Sequence, residues 1–484
     1  MHATLDINLL SATALNPQWL KENLPRYLQS ENGNHDKVDG VEILHVGDSK
    51  KRLTLLYGID LEQPENGIRR QLYLGYVVPA DHLADEHKSV LRKATIQPAW
   101  GLPVALVPEA NLVLSAFPND RKMPLLTEEE LQSWLKEQLP EFVGGLFKSK
   151  KMRQRLQRWQ VQETRMEVLR YVPGKRLTAR CTVRMKRDDG DETNISFIAK
   201  QLNDGKKAEQ SFHTLRALHK VWSSHGFYLA ENAAALPAPA PFPRALALNK
   251  ERAVIFIEEL PGKNLAEALT EVDLAQVMPA AGALLAAFHR IPKQVKKRVS
   301  RKSELKEVRK ALGTIGTAFP ELEPRLQKLF GTLCALHWED NTPMALLHGS
   351  LRLNHLVIHE GRLALLDLDS LRLGPPAYDL ANLLSSLYYF EAQGRLSRSQ
   401  RQQITRYFLE GYAAQAAWNL APRVVLWFLI SLLINKQALK YVTHFHPDRA
   451  EKVTRMLQQA ENILEQGYRQ ANDSTLSALW QVLP

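Results

Sequence analysis

Cysteine is scarce in this chain, which carries only Cys181 and Cys334 in 484 residues. That excludes a disulfide scaffold and a cysteine-rich zinc module, and it fits a reducing compartment. Long apolar runs are lacking as well. The longest, Val424 to Ile434, reads VVLWFLISLLI. It is far below the roughly 18 to 20 residues of a membrane span, so a buried core helix is expected there. The opening residues, MHATLDINLLSATALNP, have neither a basic start nor a sustained apolar stretch. No secretory signal is expected, and the chain is placed in the cytoplasm. No internal repeat, P-loop, Rossmann glycine pattern or zinc-ligand spacing occurs either, which removes the commonest short nucleotide and metal motifs.

What is present is ordinary for a folded protein: 45% hydrophobic, 24% charged and 8% aromatic residues. The length suffices for two or three domains. The formal net charge of +11 is unevenly spread. Lys148 to Arg187 holds fourteen Lys or Arg against Glu163 and Glu167, and Arg290 to Lys310 holds ten against Glu304 and Glu307. Such blocks hold nucleic acid, lipid or phosphorylated ligands, or are simply solvated faces. No aromatic-interleaved or Gly-rich RNA-binding signature accompanies them, so nucleic acid is not the expected partner.

Three strands are expected at Val41–Val46, Leu53–Ile59 and Arg70–Val78, joined by turn-rich segments as a meander. Phe117-Pro118-Asn119-Asp120 is a turn signal, and Thr127 with Glu130 resembles a capping box opening a helix. Arg176 to Met185 alternates strictly, with Leu177, Ala179, Cys181, Val183 and Met185 on one face. Asp188-Asp189-Gly190-Asp191 turns it into a second strand, Ile195 to Leu202. A helix over Lys206–Trp222, an Ala/Pro tract at Ala233–Pro243 and a strand at Ala253–Ile257 follow. Beyond these the pattern is helical, interrupted by a small ribbon at Leu356–Ile358 and Leu363–Leu368.

The most informative stretch is LHGSLRLNHLVIHEGRLALLDLDSLRLGPPAYDLANLL, Leu347 to Leu384. His348-Gly349 precedes the ribbon, Asp367 closes it, and Tyr378-Asp379-Leu380-Ala381 opens the next helix. This order resembles the aminoglycoside phosphotransferase and choline kinase superfamily, whose pattern is His-Gly-Asp, an Asn or Gln five residues on, an apolar strand ending in Asp, then Asp-Leu-Ala. LRYVPGKRLTARCTVRM is similar to the first strands of the maltokinase-like variant. The resemblance covers about Met166 to Ile434 and implies an α+β, two-lobed, protein-kinase-like phosphotransferase fold with an extra N-terminal α/β domain. It divides the chain into residues 1–147 (a cap or protein-docking domain), a kinase-like N-lobe over 148–257 and a helical C-lobe over 258–484.

The same resemblance implies ATP and Mg²⁺ as cofactors and a small-molecule acceptor. Lys200 matches the strand lysine on the ATP phosphates, with Glu209 as its candidate ion-pair partner. Glu258 and Glu259 lie in the segment similar to the adenine-touching hinge. Asp367 matches the magnesium aspartate, Asp379 the aspartate that steadies the catalytic loop, and His289 a structural helix-end histidine. Two departures stand out. The position of the catalytic aspartate, next to His348, is Ser350, and general-base help is worth about 10² to 10⁴ in rate. The second metal-ligand position falls on His355 counting forward from His348, and on Asn354 counting back from Asp367. An imidazole there suits Mn²⁺ or Zn²⁺ better than Mg²⁺. Two functions are therefore expected: an ATP-dependent phosphotransferase acting on a small-molecule hydroxyl, such as a sugar's, or a pseudokinase that binds nucleotide or partner without transfer. A basic adaptor is a weaker third.

Overall fold

Alternation of apolar and polar residues builds two antiparallel sheets in the first half of the chain, and helical periodicity takes over in the second. The computed structural model describes residues 12–28, 37–49, 52–63, 67–146, 159–187, 189–225, 240–292, 295–337, 343–359, 362–444, 448–471 and 475–483. The chain opening up to residue 11 and most of the Ala/Pro tract, residues 233–239, lie outside them. Two compact units form, Met1–His213 with Ala245–Glu259, and Thr214–Arg244 with Leu260–Pro484.

The first unit begins with α1 (Pro17–Asn23) and the expected meander, β1 (Lys37–Ser49), β2 (Arg52–Gln63) and β3 (Gly67–Val77). After α2 (Leu83–Leu91), strands β4 (Val104–Val107) and β5 (Leu112–Ala116) complete a sheet ordered β1-β2-β3-β5-β4. The sequence reading lacks these last two because each is short and borders a Pro-containing turn. Asn111 reverses the chain between them at φ 48, a left-handed conformation that Asn tolerates. The Asn119-Asp120 turn is buried. Its Asp120 carboxylate accepts from Tyr171 Oη (2.6 Å) and Gly174 N (2.5 Å).

Helix α3 (Glu128–Leu146) opens with the expected box, Glu130 N donating to Thr127 Oγ1 and Thr127 N to Glu130 Oε2, both at 3.2 Å. It lies on the second sheet, built from β6 (Trp159–Val172), β7 (Arg176–Arg187), β8 (Glu192–Leu202), β9 (Ala245–Asn249) and β10 (Val254–Glu258), with α4 (Gly205–His225) between β8 and β9. The order is β6-β7-β8-β10-β9. Leu177, Ala179, Cys181, Val183 and Met185 on β7 are buried, as the alternation requires. All but Leu177 and Ala179 join Phe197, Phe256 and the α3 residues Leu131, Leu135 and Phe142 in one core. Each buried Phe contributes roughly 1.5–3 kcal/mol. In the described part of the first basic block, Arg165 pairs with Glu163, Arg180 with Glu167 and Glu259, and Arg187 with Asp189 and Asp191. Exposed pairs of this kind contribute about 0–1 kcal/mol each. These three arginines are thus neutralised locally; residues 148–158 of the block lie outside the described residues.

The second unit comprises β11 (Lys263–Asn264), α5 (Leu274–His289), α6 (Arg301–Ala318), α7 (Glu323–Ala335), β12 (Ala345–Leu347), β13 (Leu356–His359), β14 (Arg362–Leu365), β15 (Arg372–Gly374), α8 (Ala377–Ala392), α9 (Arg398–Gln415), α10 (Pro422–Leu432) and α11 (Arg449–Asn462). The expected ribbon is β13-β14, to which β11 adds a strand, while β12 pairs with β15. Strand β14 stops at Leu365, so Asp367 sits in the turn beyond it. Helix α10 continues through a π turn, Leu433–Ala438, to Thr443. That makes 22 residues, long and apolar enough to cross a membrane by length and composition, yet 78% of its most apolar stretch is buried inside the protein. It is a core helix, as the shorter run suggested.

Candidate active site

Asp379, at the start of α8, is fully buried and holds the His348-Gly349 turn from behind. Its Oδ2 accepts from His348 N at 2.6 Å and its Oδ1 from Gly349 N at 2.8 Å. His289 Nε2, at the end of α5, lies 3.1 Å from Oδ2, and His289 Nδ1 lies 2.9 Å from Tyr412 Oη. An ionised carboxylate can only accept, so Nε2 donates to Oδ2, and Nδ1 pairs with the Tyr412 hydroxyl. Burial alone would raise the Asp379 pKa. The His289 bond and charge, His348 and the Gly349 N–H outweigh it and hold the carboxyl below its ordinary range. Gly349 adopts φ 80, and a Cβ there would collide with Ser370 O. Ser350 follows it, half-buried.

The next turn, Leu353–His355, feeds β13. The His355 ring approaches Asp367, Nε2 to Oδ2 3.7 Å, and Asn354, the residue before it, is half-buried. Asp367 takes the left-handed conformation, φ 57 and ψ 57, a strained setting for a non-glycine residue that clusters at functional sites. The His348 and His355 rings stack, 5.2 Å between centroids and 19° apart. His348 Nε2 donates to Leu366 O at 2.8 Å, while Arg352 Nη2 donates into His355 Nε2 at 3.2 Å. Burial first, then the neighbouring His348 ring and the Arg352 guanidinium, bring the His355 pKa down to about 2. Burial likewise lowers that of His348. His355 is therefore neutral near pH 7, and among the described residues the Nδ1 atoms of both rings are buried without a hydrogen-bond partner.

Three residues of this neighbourhood escaped the sequence reading. Arg372, paired with Leu347 across β12-β15, puts its Nε 2.7 Å from where a Gly349 Cβ would stand. Lys436, on the π turn, donates to Asn382 Oδ1 at 2.5 Å. Burial first, then repulsion from Arg352 and Arg372, bring its pKa down to about 7, against the pull of Asp379 and Glu304. Glu304 is buried and accepts from Asn435 Nδ2 at 2.7 Å. The one available signal was a lysine two residues past the apolar run of α10.

In the first unit, Lys200 is buried on β8, opposite Thr178 on β7 and Ile255 on β10. Glu209 on α4 accepts from Lys250 Nζ at 2.6 Å and stands 3.8 Å from His213 Nε2. Glu258 ends β10. Glu259, the last residue of this unit, accepts from Arg180 Nε at 2.6 Å and from the Ser196 hydroxyl. Its carboxylate is occupied within its own sheet.

Residues 184–418 match the family model APH, described as the phosphotransferase enzyme family. This segment is a phosphotransferase-family domain. The α+β elements accordingly form a protein-kinase-like fold, with the β1–β5 sheet as an addition before it. No curated protein matches the chain. Similar solved structures include a choline kinase from Cryptosporidium parvum Iowa II, at 12% identity and TM-score 0.45, covering 70% of this chain and 97% of that one. Another is an amicoumacin kinase in complex with AMP-PNP and Ca²⁺, at 16% identity and TM-score 0.40, covering 61% and 87%. A third is a choline/ethanolamine kinase family protein from Mesorhizobium loti, at 13% identity and TM-score 0.37, covering 66% and 92%.

The phosphotransferase-family domain fits a hard divalent cation only in part. Asp367 offers a carboxylate, as such an ion requires. The position beside it offers a neutral imidazole whose Nε2 receives a guanidinium. Among the described residues no group of three or more His, Cys, Asp or Glu is arranged to hold a metal. A carboxylate beside an imidazole suits magnesium poorly.

Proposed function

We propose that the chain is an ATP-dependent phosphotransferase that acts on a hydroxyl of a small molecule, a sugar among the candidates, without a carboxylate base. The family match over residues 184–418 supports the reaction class. The observation that carries the reading is the buried Asp379 clamping both amides of the His348-Gly349 turn, because phosphoryl transfer depends on positioning and charge more than on covalent chemistry. That clamp fixes the backbone from which Ser350 presents its hydroxyl. A loose transition state builds little charge on the nucleophile, so transfer proceeds slowly without a base. Lys200 is assigned the nucleotide phosphates and Asp367 the cation, with Mn²⁺ the better match to a His355 neighbour.

A second reading, a nucleotide-binding module without transfer, draws on one observation: Arg352 donates to the His355 nitrogen that a metal would need. Phosphate transfer from ATP to a panel of sugars and other hydroxyl compounds, with Mg²⁺ or Mn²⁺, separates the two. Metal-dependent product formation lost in Asp367→Ala supports the transferase. ATP binding with no product across the panel, and none on Ser350→Asp, supports the module.

A further inference from the structure

The second sheet has a face that the phosphotransfer reading leaves unused. Across its ladders Lys200 stands opposite Thr178 and Ile255, whereas Phe256 stands opposite Ala199 and Ala247. Side chains alternate between faces along a strand. Phe256 and Ala247 therefore lie on the side away from Lys200, where they share a core with α3. A cavity of about 320 Å³ opens there between α3 and the β9–β10 turn. That is within the range of small-molecule sites, roughly 300–1,000 Å³.

Helical spacing puts Trp134, Glu137 and Gln138 on one side of α3, and all three line the cavity. The Trp134 ring is fixed from two directions. It stacks on Phe256, 4.6 Å between centroids and 26° apart, and meets Phe142 edge to face at 6.4 Å. A ring held this way offers a ligand a flat apolar wall that needs no further ordering. At the end of β9, Asn249 also lines the cavity and is only 7% exposed. Its Oδ1 accepts from Arg252 N at 3.1 Å, while its Nδ2 has no hydrogen-bond partner among the described residues. A buried amide donor left open toward a cavity calls for an acceptor there. Glu137 and Glu251 are exposed at the rim, and neither makes an ion pair among the described residues. Lys250, also at the rim, donates to Glu209.

This mixture selects the ligand. An anion would meet two carboxylates, and a cation would meet the Asn249 N–H and the Lys250 ammonium. A hydroxyl both donates and accepts, and its bond to a carboxylate is charge-assisted. We propose that the cavity binds a neutral polyhydroxy compound of monosaccharide size, its ring lying on Trp134 and its hydroxyls reaching Asn249, Glu137 and Glu251. The site lies on the sheet face away from Lys200, so it anchors a carbohydrate without presenting it for reaction. It stands whether or not the chain transfers phosphate.

The test is ligand-observed NMR titration of the full chain with glucose, galactose and mannose. At least one is expected to bind with a dissociation constant on the order of millimolar, as suits so small a ligand. Asn249→Asp keeps the oxygen that Arg252 N needs and removes the amide donor, and it should weaken binding at least about fivefold. Glu137→Gln should weaken it by a similar factor, and its exposed helical position covers the case in which the Asn249 variant fails to fold. Trp134→Ala should abolish binding, whereas Trp134→Phe, which keeps an aromatic wall, should retain part of it. Lys200→Ala, on the opposite face, should bind sugar as wild type does. Neither tetramethylammonium nor sulfate should displace the sugar. The proposal is overturned if no sugar binds at about 100 mM, well above the expected constant. It is equally overturned if affinity is unchanged in the folded Asn249, Glu137 and Trp134 variants, or if tetramethylammonium or sulfate displaces the sugar.

Discussion

Arg352 Nη2 donates to His355 Nε2 at 3.2 Å, placing a fixed positive charge on the nitrogen that faces Asp367 at 3.7 Å. A guanidinium cannot be deprotonated in proteins, so a metal ion reaches His355 only by displacing it. Arg352→Ala is therefore expected to tighten Mn²⁺ binding by at least about tenfold, since a like-charge neighbour is removed and an imidazole lone pair is exposed. Titration of Mn²⁺ into wild type and variant measures it. Equal affinities in the two would show that Arg352 does not guard this position.

Restoring a carboxylate with Ser350→Asp is expected to raise phosphate transfer by about 10². Rates of product formation from ATP in wild type and variant measure it. An unchanged rate shows that Ser350 does not stand where a base would act.

Removing Asp379 should be costly. Asp379→Ala leaves His289 and two backbone amides without their acceptor in the interior, and breaking such a buried constellation costs about 3–5 kcal/mol. Denaturant midpoints compare it with wild type. A loss below about 1 kcal/mol contradicts the clamp.

Stability should also fall on acidification, from two sources whose signs agree. His348 and His355 have folded pKa values below their unfolded value. The unfolded chain therefore binds protons first, and stability present above about pH 6.5 declines as pH drops, by up to about 1.4 kcal/mol per pH unit for each ring that stays neutral. The Asp379 carboxyl is also lowered, so its contribution is present above about pH 4 and lost below it. Melting temperatures from pH 7.5 to 3.5 should decline in wild type and less steeply in His355→Gln. Parallel curves for the two proteins would remove His355 from the account.

The parts of the fold that repeat a local rule were legible in the sequence. The alternation of β7, the Thr127–Glu130 box and the meander β1–β3 each follow from side-chain spacing alone, because burial of one face dictates the period. Strands β4 and β5 were not legible, since four or five residues beside Pro-containing turns carry too little pattern. In the site, the order of His348, Gly349, Asp367 and Asp379 was visible as a motif. Whether Asn354 or His355 meets Asp367 was not, because both registers satisfy the spacing. Lys436 was invisible for a different reason. A single π turn rotates it onto Asn382, and nothing in the run VVLWFLISLLINKQ marks where the helix widens. The Lys250–Glu209 pair likewise joins residues 41 positions apart, beyond any local rule.

Thermal stability against ATP concentration, with and without Mg²⁺ or Mn²⁺, on wild type and Asp367→Ala, tests the central reading most directly. A ligand at 100 times its dissociation constant adds about 2.7 kcal/mol, well within reach of a melting experiment. The account predicts an ATP-dependent rise in melting temperature that increases with metal, more with Mn²⁺ than with Mg²⁺, and that loses its metal-dependent part in Asp367→Ala. No shift at millimolar ATP under any condition would contradict it.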